Sequence, residues 1–79
     1  MTFEEFYNNE HPGQVRRCYV MTRSAEDASD IVHEAMIEVF RKWSTIDRPG
    51  AYLNRAVLNR CRNRAQRTKG GATMIHARS

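Results

Sequence analysis

Tyr52, Arg55, Asn59, Arg62 and Asn63 are spaced to share one side of a helix. Arginine grips phosphate by charge and by paired hydrogen bonds. Asparagine carries a donor and an acceptor that suit a base edge. Tyrosine offers a ring on which an unpaired base can stack. Together these types fit a single nucleic-acid strand; the plain alternative is a solvated basic face. Trp43 can close an apolar stripe and, if one ring face is exposed, also wall a pocket for an extruded base. A second group, Asp30, His33, Glu34, Ile37, Glu38 and Arg41, falls on the opposite side of its helix from an apolar stripe. Two of its carboxylates, Asp30 and Glu34, lack matched lysines four residues on, and Ile37 stands among charges. That face suits a protein partner or plain solvent.

Reaction chemistry finds little purchase. His33 and Glu34 are adjacent in sequence, and adjacent helix positions do not face each other. No nucleophile elbow, phosphate loop or metal-ligand pair is present in the sequence. The expectation is a binding protein, not an enzyme, with no cofactor and no metal.

Three amphipathic helices must position these side chains, and no strand is readable. The first spans about 3–22, with Phe3, Phe6, Tyr7, Val15, Cys18, Tyr19 and Thr22 at helical spacing. His11-Pro12-Gly13 predicts a kink or short break, because Pro12 lacks a backbone donor. The second spans about 25–43, started by Ser24 as N-cap with Asp27 in the manner of a capping box. Its apolar stripe is Ala28, Ile31, Val32, Ala35, Met36, Val39, Phe40 and Trp43. The third opens at Pro49, a residue suited to a first helical turn, and runs to about Gln66. Leu53, Ala56, Val57, Cys61 and Ala65 mark its buried stripe. The fold class is therefore all-α, a small three-helix bundle whose first helix is kinked at His11-Pro12-Gly13. Residues 1–69 form one domain, and 70–79 are expected to be a disordered linker stub, introduced by Gly70-Gly71.

Charge is sorted along the chain. Residues 1–47 hold five Lys/Arg against nine Asp/Glu, and residues 48–79 hold eight Lys/Arg and no acid. The overall +4 conceals this split, which suits a polyanion for the C-terminal part and a different partner for the N-terminal part. Cys18 and Cys61 show no paired spacing, so both are expected to act as small buried apolar residues in a reducing cytoplasm. Thr2-Phe3-Glu4-Glu5 has neither the basic start nor the apolar run of a signal peptide, and no stretch is long enough to span a membrane. A cytoplasmic location is expected.

Phe3-Glu4-Glu5-Phe6-Tyr7, Ala25-Glu26-Asp27-Ala28, Asp30-Ile31-Val32-His33-Glu34-Ala35, Trp43 and 49–59 (PGAYLNRAVLN) follow one another in an order that resembles a known family. The chain looks like the N-terminal region-two domain of an extracytoplasmic-function (ECF, group IV) sigma factor, over about residues 3–68. The resemblance implies docking of the second helix on the clamp coiled coil of the largest subunit (β′) of core RNA polymerase, through Asp30, His33, Glu34, Ile37 and Arg41. The family commonly has Gln where this chain has His33. The resemblance also implies reading of the -10 promoter element and capture of its melted non-template strand. Trp43 to Arg48 correspond to the segment that takes a flipped base, Asn59 to the asparagine lining its pocket, with Ala56 and Tyr52 beside it. Arg55, Arg62 and Asn63 are then strand or phosphate contacts. A full member carries a second domain that reads the -35 element; the sequence stops at Ser79, as an excised domain or a truncated protein would, and on its own this stretch is expected to bind duplex promoter weakly. Anti-sigma factors are further partners in such a family. Two other readings compete: a helical protein-interaction module whose main partner is a regulator, and a duplex-binding helix-turn-helix protein, disfavoured by the missing glycine-containing tight turn.

Overall fold

The structure is a computed structural model that describes residues 1–69, with side chains placed through Arg64. The tail 70–79 and the side chain of Ala65 lie outside the described residues. Three helices follow in order, α1 (Phe3–Thr22), α2 (Ala25–Arg41) and α3 (Pro49–Lys69). Each packs against the other two. No strand is present among the described residues. The all-α three-helix bundle read from the sequence is the fold observed.

Local sequence starts and stops each helix. Thr2 closes a full capping box on α1: its hydroxyl accepts from the Glu5 amide at 3.2 Å, and the Glu5 carboxylate accepts from the Thr2 amide at 3.0 Å. α1 ends at Arg23, a left-handed residue (φ 59°, ψ 25°) whose amide donates back to the Tyr19 carbonyl. Ser24 caps α2 by accepting from the Asp27 amide at 3.2 Å. The reciprocal half of the box is missing, because the Asp27 carboxylate accepts from Arg64 on α3 instead.

α1 runs as one helix through Pro12, without the break that His11-Pro12-Gly13 could have caused. Pro12 and Gly13 are exposed, while Phe6, Gln14 and Cys18 on either side of them are buried, so packing holds both halves. α2 ends at Arg41, two residues before the expected Trp43, and a turn carries the chain over to Pro49. α3 outlasts its expected end at Gln66 by three residues.

The core lies where the three stripes meet. Phe6 and Cys18 from α1, Ala28, Ile31, Val32, Ala35, Met36 and Val39 from α2, and Leu53, Ala56, Val57 and Cys61 from α3 are all buried. Two expectations for this core are corrected. Phe40 is 61% exposed, since Val39 and Met36 already occupy the inward direction at that level of α2. Cys18 and Cys61 are buried as expected but joined by a disulfide, with Cα atoms 5.8 Å apart. They oppose each other across the α1–α3 contact, a proximity that their spacing in sequence could not reveal. Gln14 is the one buried polar side chain among the described residues, and its amide donates to the Asn54 carboxamide on α3.

Candidate nucleic-acid cleft and docking face

The end of α2, the turn after it and the first half of α3 enclose an open cleft of about 720 Å³. Pro49 starts α3 and directs it back along α2, so successive turns of α3 present Tyr52, Arg55, Ala56 and Asn59 to the cleft. Arg48 enters from the turn. Five residues picked out from the sequence thus line one cavity. Arg48, Arg55 and Asn59 are exposed, Tyr52 is half-buried, and Ala56 belongs to the core and forms the floor. Arg62 and Asn63 are exposed on the next turn of α3, beyond the cleft.

Trp43 does not line this cavity. Its ring lies 5.4 Å from that of Phe3 and 5.3 Å from that of Phe6, in an aromatic cluster that joins the start of α1 to the end of α2. The packed role of Trp43 matches its place, and the indole is only half-buried.

The sequence pattern picks out neither Lys42 nor Arg60, both of which line the cleft, and places Glu38 only on the polar face of α2. Glu38 accepts from the Tyr52 hydroxyl at 2.5 Å and from Arg60 at 2.7 Å. Lys42 donates to the Tyr52 oxygen at 3.0 Å. These bonds hold the Glu38 carboxyl below the ordinary carboxylate range, chiefly through Tyr52 and then Arg60. The Tyr52 contact also raises the Lys42 ammonium above its usual value. Glu38, four residues from both Glu34 and Lys42, reads by spacing as part of a partner-binding or solvated face, and helical spacing carries no sign that α3 meets it.

The arginines of α3 divide between two directions. Arg60 and Arg64 turn toward α2, pairing with Glu38 at 2.7 Å and Asp27 at 3.0 Å, and more loosely with Glu34 at 3.7 Å and Asp30 at 3.8 Å. Arg55 and Arg62 are exposed. The acidic and basic halves of the chain therefore partly neutralise each other along the α2–α3 seam.

Asp30, His33, Glu34, Ile37 and Arg41 are all exposed on α2. Glu34 and Asp30 keep 49% and 59% of their side-chain surface despite their loose pairs. His33 and Ile37 also border an apolar groove of about 240 Å³ formed with Phe3, Tyr7, Met36 and Phe40. Exposed Phe40 gives this face more apolar surface than the sequence pattern implied.

Residues 6–70 match the family model for sigma-70 region 2. The chain belongs to the sigma-70 region 2 family. The match takes in α2, α3 and all but the first three residues of α1, and most of the chain. No curated protein and no solved structure was found to match. Sigma-70 region 2 domains serve transcription initiation, binding core RNA polymerase and promoter DNA. Among the described residues, no helix is long and apolar enough to cross a membrane, and no group of three or more His, Cys, Asp or Glu could hold a metal ion.

Proposed function

We propose that this sigma region 2 domain is of the ECF type and works in the cytoplasm by discriminating between two states of promoter DNA. α2 docks on the clamp coiled coil of the largest polymerase subunit through Asp30, His33, Glu34, Ile37 and Arg41. The cleft receives a base extruded from the non-template strand of the -10 element. The observation that carries this reading is the gathering of Arg48, Tyr52, Arg55, Ala56 and Asn59 around one cavity beside that helix.

The physics needs no reaction step. Extruding a base costs a few kcal/mol. Stacking on an aromatic ring returns roughly 1–3 kcal/mol per base. Phosphate contacts add a salt-dependent share, with log K falling by about 0.7 per contact on a single strand for each decade of salt. Tyr52 supplies the ring, Asn59 the base-edge donor and acceptor, and Arg48, Arg55 and Arg62 the phosphate charge, with Asn63 beside them. Binding the opened strand better than the duplex shifts the promoter toward melting.

Crosslinking to core polymerase carrying a forked -10 probe tests both faces together. The expected result is contact of α2 with the clamp and of α3 with the unpaired strand. Asn59→Ala should relax base preference, whereas Arg62→Ala should weaken all sequences alike and lower the salt slope by about one contact. Unchanged affinity and preference in Asn59→Ala would refute the pocket assignment.

A second reading rests on the apolar groove beside Ile37 and on Phe40. A regulator such as an anti-sigma factor is a fitting partner for that surface. Retention of core polymerase in a pull-down, abolished by Asp30→Arg, favours the first reading; retention of a small regulator alone favours the second.

A further inference from the structure

Glu38 poses a problem for a strand-binding cleft, because a carboxylate there repels the polyanion the cleft is meant to hold. Its surroundings point to what it does instead. One oxygen, Oε2, accepts from the Tyr52 hydroxyl at 2.5 Å, and the other, Oε1, accepts from Arg60 Nη2 at 2.7 Å. Lys42 Nζ lies 3.9 Å from Oε2, donates to the same Tyr52 oxygen, and stands 5.5 Å from the centroid of its ring. Arg60 is held a second time by the Ala56 carbonyl at 3.4 Å and passes near Glu34 at 3.7 Å. One carboxylate on α2 thereby fixes two side chains of α3.

Each tether has a consequence. The hydroxyl bonds remove rotational freedom from Tyr52, so its ring stands as a fixed wall and not as a swinging arm. A preorganised ring discriminates among bases better, since no ordering cost is left to blur the difference in stacking. Arg60 is drawn toward α2, away from a phosphate it could otherwise reach, and charge that attracts every sequence equally is withheld. The two effects act in the same direction: less indiscriminate attraction and sharper selection.

We propose that Glu38 is a positioning residue of the strand-binding cleft, holding Tyr52 as a rigid wall and Arg60 out of the phosphate path so that base preference rises at the expense of raw affinity. The proposal rests on the strand-binding reading above.

The test measures affinity of the full chain for four single-stranded homo-oligomers of about ten nucleotides, one per base, at low salt. The proteins compared are the parent, Glu38→Gln, Tyr52→Phe, the double variant, and Glu26→Gln as a control acid distant from the cleft. Thermal melts establish that each is folded. Glu38→Gln should bind all four probes more tightly and with a steeper salt slope, while the ratio between its tightest and weakest probe falls roughly five- to ten-fold. Tyr52→Phe, which keeps the ring and all charges, should narrow the ratio without the general rise. The double variant should be no less selective than Tyr52→Phe with respect to the ring, because Glu38→Gln weakens the same bond that Tyr52→Phe removes. Glu26→Gln should leave the ratio unchanged. A parent-like ratio in folded Glu38→Gln and Tyr52→Phe, or equal narrowing in Glu26→Gln, overturns the role of Glu38 and leaves the strand reading standing. A parent that binds no probe overturns the strand reading, and this proposal with it.

Discussion

Breaking the bond between Cys18 and Cys61 should be among the most damaging small changes that can be made to this chain. The two residues are 43 positions apart, so the disulfide closes a loop of more than half the molecule. In the chain-entropy model a loop of that size removes about 13 cal/mol/K from the unfolded ensemble, or roughly 4 kcal/mol at 25 °C. Domains of this size are commonly stable by only about 5–15 kcal/mol, and small ones lie near the low end. With each kcal/mol worth about 4–8 °C, the midpoint of melting should drop by roughly 15–30 °C. The assay is circular dichroism on heating, comparing oxidised protein, the same protein with a dithiol reductant, and Cys18→Ala/Cys61→Ala. The reduced protein and the double variant should both melt far below the oxidised one, and reductant should not move the double variant. Alkylation of both thiols in denatured but unreduced protein would refute the bond itself. An oxidised midpoint unmoved by reductant would refute the entropic reasoning.

Ser24→Ala removes the N-cap of α2 and should cost about 1 kcal/mol in denaturant unfolding, with little change in the slope of the transition. Leu53→Ala, at a fully buried position on α3, should cost roughly 2–5 kcal/mol by the same measurement. The depressed Glu38 carboxyl adds stability that is present above the unfolded carboxylate pKa and lost as pH falls through the folded value. Stability should therefore decline on acidification below the ordinary carboxylate range, and Glu38→Gln should flatten that decline; an identical acid profile in the variant would contradict the assignment.

The helices were legible because their apolar positions recur at helical spacing and because Ser24 and Pro49 mark two of the starts. The cleft was largely legible too, since Tyr52, Arg55, Ala56 and Asn59 share a face of one helix and need no tertiary information to be brought together. What escaped depends on how helices cross. Cys18 opposite Cys61, Gln14 on Asn54, and the Arg60 and Arg64 pairs with α2 each join residues at least 22 positions apart. Periodicity says which way a side chain points on its own helix but not what stands across from it. Phe40 was assigned inward because it adjoins Val39 and precedes Trp43 at helical spacing, yet the stripe was one residue wider than the surface α2 buries. Asp27 fits a cap by spacing and was drawn away by an arginine 37 positions downstream.

The placement of Trp43 turns the chain into its own optical probe. It is the single tryptophan in the sequence, and its indole sits against Phe3 and Phe6, outside the cleft. Intrinsic emission at the indole wavelength will therefore follow the joint between the first helix and the end of the second, reddening when water reaches that joint, and it will do so without a dye. An oligonucleotide that fills the cleft should leave the signal nearly still, so folding and ligand occupancy can be followed in one cuvette as separate quantities.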